Sequence, residues 1–159
     1  MNEKVDRCIP FHKGNEMQRT QQFYSIGHDT PEIFILHSNK DKVFVSLLHK
    51  FLCEHGHKAW YCGNDITIGA NWRNTIYRTI YIVNHVIVVI SENLLSKRGF
   101  YNYELQIAQE LYQNKGESSN FIIPIRIDDY RISGELTKLQ YLDCWISNDW
   151  HTRLMASLA

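Results

Sequence analysis

The chain carries no net charge. Lys plus Arg number 17, and so do Asp plus Glu. A balanced surface exerts no general pull on nucleic acid or an anionic membrane, so neither is expected as a direct partner. It also leaves nothing to hold copies of the chain apart, which favours self-association. Long apolar runs are missing: the longest aliphatic stretch is VIVVI at Val86–Ile90, far short of the ~20 residues of a membrane-spanning helix. The opening MNEKVDRCIPFHKGNEMQRTQQ has no apolar segment of the signal-peptide kind, so a cytoplasmic location is expected. The four cysteines, Cys8, Cys53, Cys62 and Cys144, form no Cys-x-x-Cys pair, and reduced thiols are expected. No Gly-x-Gly-x-x-Gly and no Walker sequence follows any apolar run, so a nucleotide would not be held in the usual dinucleotide or P-loop manner.

Two further chemistries find little support. CEHGH brings Cys53, His55 and His57 close in sequence, but the turn expected at Gly56 scatters their directions, and no metal site is expected. The eight histidines have no serine or cysteine partner that sequence identifies, so a nucleophilic triad is not expected either.

What is present is an ordinary soluble domain, 44% apolar and 21% charged over 159 residues, long enough for one real core. Residues 1–31 are polar and aperiodic and read as a tail or linker; residues 32–159 read as the domain. Short apolar strands are expected at Glu32–His37, Lys58–Cys62, His85–Ser91 and Phe121–Ile127, with a short fifth in LQYLDCW. Pro124 argues that the fourth is an edge or interrupted strand. Between them lie helical patterns. The first places Phe44, Leu47, Leu48, Phe51 and Leu52 on one face and stops at Gly56; the second turns Trp72, Ile76, Ile80 and Val83 inward. The third carries Phe100, Tyr103, Ile107, Ala108 and Leu111, and a last helix falls in DWHTRLMASLA. This alternation predicts an α/β, flavodoxin-like, doubly wound parallel sheet of order 2-1-3-4-5 with helices on both faces.

Such sheets bind ligands outside the carboxyl ends of strands 1 and 3, where the order reverses. HSNKD leaves strand 1 there, and SENLLSKRGFYNYE leaves strand 3. Glu104 lies on the apolar stripe of the third helix, an odd place for a carboxylate. Two readings are open. An acidic residue in a first helical turn gains about 0.3–1 kcal/mol from the helix dipole; alternatively the first turn faces the ligand site. Ser38 and Asp41 match a capping box, and the same helix start could hold a phosphate. Gly63–Asn71 is a long connection carrying Ile66 and Ile68, which suggests either contact with another molecule or a loop folded back on its own domain.

Taken together, these fragments resemble the TIR (Toll/interleukin-1 receptor) domain, specifically its bacterial branch, over roughly Glu32–Ala159. IFILHSNKDKVFVSLLHKFLCEHGHKAWY looks like the family's first strand, helix and second strand. DITIGANW looks like its BB loop, VIVVISENLLSKRGFYNYEL like its third strand and signature region, and FIIPIRIDD with LQYLD like its close. The resemblance implies an NAD+ nucleosidase that releases nicotinamide and makes ADP-ribose or a cyclic product. It implies Glu104 as the catalytic residue, and Ser38, Asn39, Lys40, Asp41, Phe100 and Tyr101 as the substrate-binding set. It makes Asp65, Ile66, Ile68, Gly69 and Trp72 the BB-loop and assembly residues. NAD+ is then a substrate; no cofactor and no metal is implied. Activation by TIR–TIR clustering, a sensor partner or fused module, and a role in bacterial antiphage immunity belong to the same expectation. Phe100 and Tyr101 stand where tryptophan and cysteine are common, Cys62 and Gly63 where acidic residues are common, and Ile68 where a proline is usual. The alternative is a non-catalytic scaffold that signals by homotypic assembly; a nucleotide binder outside the family is a third reading.

Overall fold

The computed structural model describes residues 31–61, 72–96, 100–115, 120–132 and 134–159; for 72–75, 100–104, 111, 114–115, 134 and 135 it describes the backbone alone. Five strands, β1 (Ile33–Leu36), β2 (Ala59–Tyr61), β3 (His85–Ile90), β4 (Ile122–Arg126) and β5 (Leu142–Asp143), alternate with helices α1 (Lys42–Glu54), α2 (Trp72–Ile82), α3 (Glu92–Leu95), α4 (Phe100–Lys115) and α5 (Trp150–Leu158). The strands form one sheet of order β2-β1-β3-β4-β5, and every pairing is parallel. The doubly wound order expected from the alternation is therefore the observed one. No described helix is long and apolar enough to cross a membrane.

β3 shows why the sheet has two cores. Val86 to Ile90 are all fully buried. Side chains alternate across a strand, so Val86, Val88 and Ile90 join Ile76, Ile80, Ile107 and Ala108 from α2 and α4. Ile87 and Val89 join Val45, Leu48 and Leu52 from α1 and Leu154 and Leu158 from α5. A run with no polar residue is what a strand covered on both faces requires. Trp60 of β2 stacks on Phe34 with centroids 5.1 Å apart, inside the first of these cores.

Several local expectations are corrected. On α1 the buried face is Val45, Leu48 and Leu52, with Phe44 and Phe51 half-buried beside it. Leu47 is 65% exposed. At 100° per residue Leu47 stands about 200° around the helix from Val45, so the two cannot share a buried face. Gly56, with φ 90°, ends the helix as expected. Pro124 does not sit in an edge strand, since β4 lies between β3 and β5. Ile127 donates to the Ile90 carbonyl on the β3 side, and the Arg126 carbonyl accepts from Cys144 on the β5 side. Alternate residues thus face alternate neighbours, and the N–H that Pro124 lacks faces the β5 side. Pairing with β5 begins only at Ile125, so the missing donor breaks no ladder bond. The expectation of reduced thiols throughout fails at Cys53, which is disulfide-bonded; a disulfide depends on spatial proximity, which spacing along a chain does not report. Cys144 is a free thiol, pushed up to about 12 by burial.

Candidate functional site

All strands being parallel, their carboxyl ends share one edge of the sheet, and β1 and β3 are hydrogen-bonded neighbours there. Among the described segments that leave that edge are His37–Asp41 after β1, Ser91 into α3 after β3, and Asp128–Tyr130 after β4.

Ser38 is buried and extended (φ −76°, ψ 141°), and its Oγ accepts from the Lys40 N–H at 3.4 Å, starting a 3-10 turn over Asn39–Asp41. Ser38 forms a simple N-cap, not the capping box: its hydroxyl takes the Lys40 N–H, while the Asp41 N–H goes to the Ser38 carbonyl. The second member of a box should reach back to the first residue's N–H, but Asp41 turns the other way. One of its carboxylate oxygens accepts from the Ser91 hydroxyl at 2.5 Å, and the other from the Asn93 amide at 2.7 Å. Asp41 is 7% exposed, so these bonds supply the polar partners that burial removes. Ser91 Oγ in turn accepts from the Leu94 N–H at 3.1 Å and caps α3. From the opposite side, Asp128 accepts from the Glu92 N–H at 2.8 Å and the Tyr130 N–H at 3.0 Å. Carboxylates from the ends of β1 and β4 therefore hold the segment that follows β3.

His37 precedes Ser38. Its Nε2 is buried without a hydrogen-bond partner, and the ring stands edge-on to Tyr61. Burial pushes the imidazole below its usual pKa, opposed by a backbone hydrogen bond at Ile35 and the Asp41 charge. A neutral imidazole at a strand's carboxyl end presents one nitrogen donor or acceptor and no charge.

The other expected site residues divide into three groups. Asn39 and Lys40 are exposed beside the β1 exit. Glu104 is the fifth residue of α4, and Phe100 and Tyr101 open that helix; the structure describes their backbone. The first turn of α4 holds no acidic residue, which corrects the expectation that Glu104 belongs to it. Both readings of Glu104, helix-dipole stabilisation and a first turn that faces the ligand site, placed it in that turn, so neither keeps that ground. Asp65, Ile66, Ile68 and Gly69 lie outside the described residues, and Trp72 is the first residue of α2, described by its backbone. The residues of CEHGH go separate ways: His55 bonds the Phe51 carbonyl at 2.8 Å, and His57 lies 3.7 Å from the Glu32 carboxylate.

Sequence reasoning missed Ser91, Asn93, Asp128 and His37. Ser91 had a signal, a serine directly after a buried strand and before a helical turn. His37 opens the HSNKD fragment, but nothing in the sequence assigns it a role. Nothing local distinguishes Asn93, whose partner is 52 residues away.

The family model of the TIR domain matches residues 33–158. Among solved structures, the chain is similar to the TIR domain of the Toll-related receptor TRR-2 from the lower metazoan Hydra magnipapillata. That likeness has 23% identity and a TM-score of 0.62, over 81% of this chain and 98% of that one. It is also similar to the TIR domains of the activated Roq1 resistosome directly recognizing the pathogen effector XopQ, with 20% identity and a TM-score of 0.50, over 60% of this chain and 57% of that one. At these identities the likeness is one of fold. No curated protein matches the chain.

Proposed function

The chain belongs to the TIR domain family, and from that premise we propose that it is an NAD+ nucleosidase, activated by oligomerisation, with Glu104 as its catalytic carboxylate. The observation that carries the reading is topological. Glu104 rides on α4, the second helix after β3, Ser38–Asp41 follow β1, and these two strands adjoin where the sheet order reverses.

The chemistry needs one carboxylate. Nicotinamide leaves from a cationic nitrogen as a neutral molecule, so the leaving group takes no proton. The ribose C1′ carries oxocarbenium-like positive charge in the transition state, which a nearby anion stabilises while accepting hydrogen bonds from the ribose hydroxyls. Water then bonds C1′ and releases a proton, giving ADP-ribose; attack by a ring nitrogen of the adenine gives a cyclic product instead. The acid and base pair of ordinary glycosidases is unnecessary here. Phe100 or Tyr101 stacks on a base ring. Clustering of TIR domains by a sensor partner or fused module supplies the trigger, and antiphage immunity in bacteria is the setting that fits this family branch.

The second reading, a scaffold that acts by TIR–TIR assembly alone, draws on Val43 (78% exposed) and Leu47, an apolar pair one turn apart on α1. One experiment separates the two. Concentrated protein is incubated with NAD+, with and without a crowding agent, and free nicotinamide is assayed. Release by the wild type, lost roughly 10²–10³-fold in a folded Glu104→Gln variant, is the expected result. Full turnover by that variant removes the mechanism, and no turnover under any clustering condition leaves the scaffold.

A further inference from the structure

We propose that Asp41 is a positioning residue, whose buried carboxylate fixes α3 and thereby the start of the helix that carries Glu104. This rests on the Glu104 reading above but assigns Asp41 a different task from substrate contact. The first ground is burial. Each carboxylate oxygen accepts from a donor of the chain, Ser91 Oγ–H at 2.5 Å and Asn93 Nδ2 at 2.7 Å. Each oxygen keeps a further lone pair, but the residue is only 7% exposed, so little of the carboxylate is open to a ligand. The second ground is directional. The hydroxyl of Ser91 gives its one proton to Asp41 and accepts the Leu94 N–H, so the carboxylate orients the cap of α3. Ser91 is fully buried and Leu94 is 1% exposed in the core shared with α2 and α4; the cap therefore has no solvent alternative. The third ground is distance along the chain. α3 ends at Leu95 and α4 begins at Phe100, a connection short enough that the placement of one restricts the other. Asp128, bound to the Glu92 N–H, holds the same turn from the β4 side and provides a second tether.

Asp41→Asn is nearly isosteric but must direct an amide N–H at one of the two donors, leaving a buried hydrogen unmatched. The test compares NAD+ turnover by wild type, Asp41→Asn, the Ser91→Ala/Asn93→Ala pair and all three changes together, with amide hydrogen exchange of residues 92–111 as an independent readout. Expected are a kcat reduced about 10–100-fold with KM nearly unchanged, a similar loss in the Ser91/Asn93 pair, and a triple variant little worse than either, as for residues acting through one network. Faster exchange across 92–111 should accompany Asp41→Asn. A raised KM with kcat intact, with losses that multiply in the triple variant, would make Asp41 a substrate contact and overturn the proposal, as would unchanged exchange. If the wild type consumes no NAD+, the Glu104 reading fails separately, and the exchange measurement still decides whether Asp41 holds α3 and α4.

Discussion

The His37 imidazole meets the Tyr61 ring edge-on with centroids 5.5 Å apart, and Tyr61 meets His49 in the same way at 5.0 Å. The three rings join the ends of β1 and β2 to α1. Burial lowers the pKa of both histidines, and a hydrogen bond from His49 Nε2 to the Ala59 carbonyl at 3.1 Å opposes it only in part.

This arrangement makes stability depend on pH in one direction. The folded state holds both imidazoles below the ordinary histidine pKa, whereas the unfolded chain protonates at about 6.5. The unfolded state therefore binds more protons as pH falls below about 6.5, and stability is lost over the interval down to the folded pKa values. Thermal unfolding should show a Tm that is level above neutrality and falls as pH drops below about 6.5. His49→Phe should shallow that slope; an identical slope in the variant would assign the acid sensitivity to other groups.

The reassignment of the α1 face predicts opposite outcomes for adjacent leucines. Leu48 is 1% exposed and Leu47 is 65% exposed. Leu48→Ala should cost about 2–5 kcal/mol in a denaturant titration, and Leu47→Ala should stay within about 0.5 kcal/mol. Equal losses would mean that α1 is rotated from the orientation described.

At the far edge of the sheet, the Arg126 guanidinium pairs with Asp143, its register partner across β4 and β5. It also lies 5.1 Å from the Tyr141 ring centroid and 5.8 Å from that of Trp145. The bond to Asp143 is the main reason that the Arg126 pKa is raised. Lysine keeps the charge but loses the planar fork and the ring contact. Arg126→Lys should therefore destabilise by about 1 kcal/mol and speed amide exchange at Leu142 and Asp143. An unchanged exchange rate at β5 would show that two residues of pairing hold this strand without the arginine.

The site divides in the same way as the fold. Ser38 and Asp41 were legible as a unit because their three-residue spacing is a local signal of a helix start. Their separate roles were not. Ser38 caps its own turn, while Asp41 spends both oxygens on residues 50 and 52 positions away. For Glu104 the misfit of a carboxylate on an apolar stripe was visible in sequence, but its distance from the helix start depended on where α4 begins.

Alternation of short apolar runs with helical periods was enough to set the parallel sheet and its two covered faces, which follow from side-chain periodicity and from the handedness of crossover connections; the order 2-1-3-4-5 was expected as the common arrangement of five such strands. Periodicity is a property of neighbours in the chain, and local sequence carries it in full. Which α1 residues are buried, why Pro124 is tolerated within the sheet and what Asp41 bonds were decided only by the tertiary structure. Each depends on a partner brought close by folding: a helix layer, the starting residue of β5, a serine and an asparagine at the end of another strand. A buried polar group takes whichever partner the packed chain delivers to it, since burial removes water as an alternative.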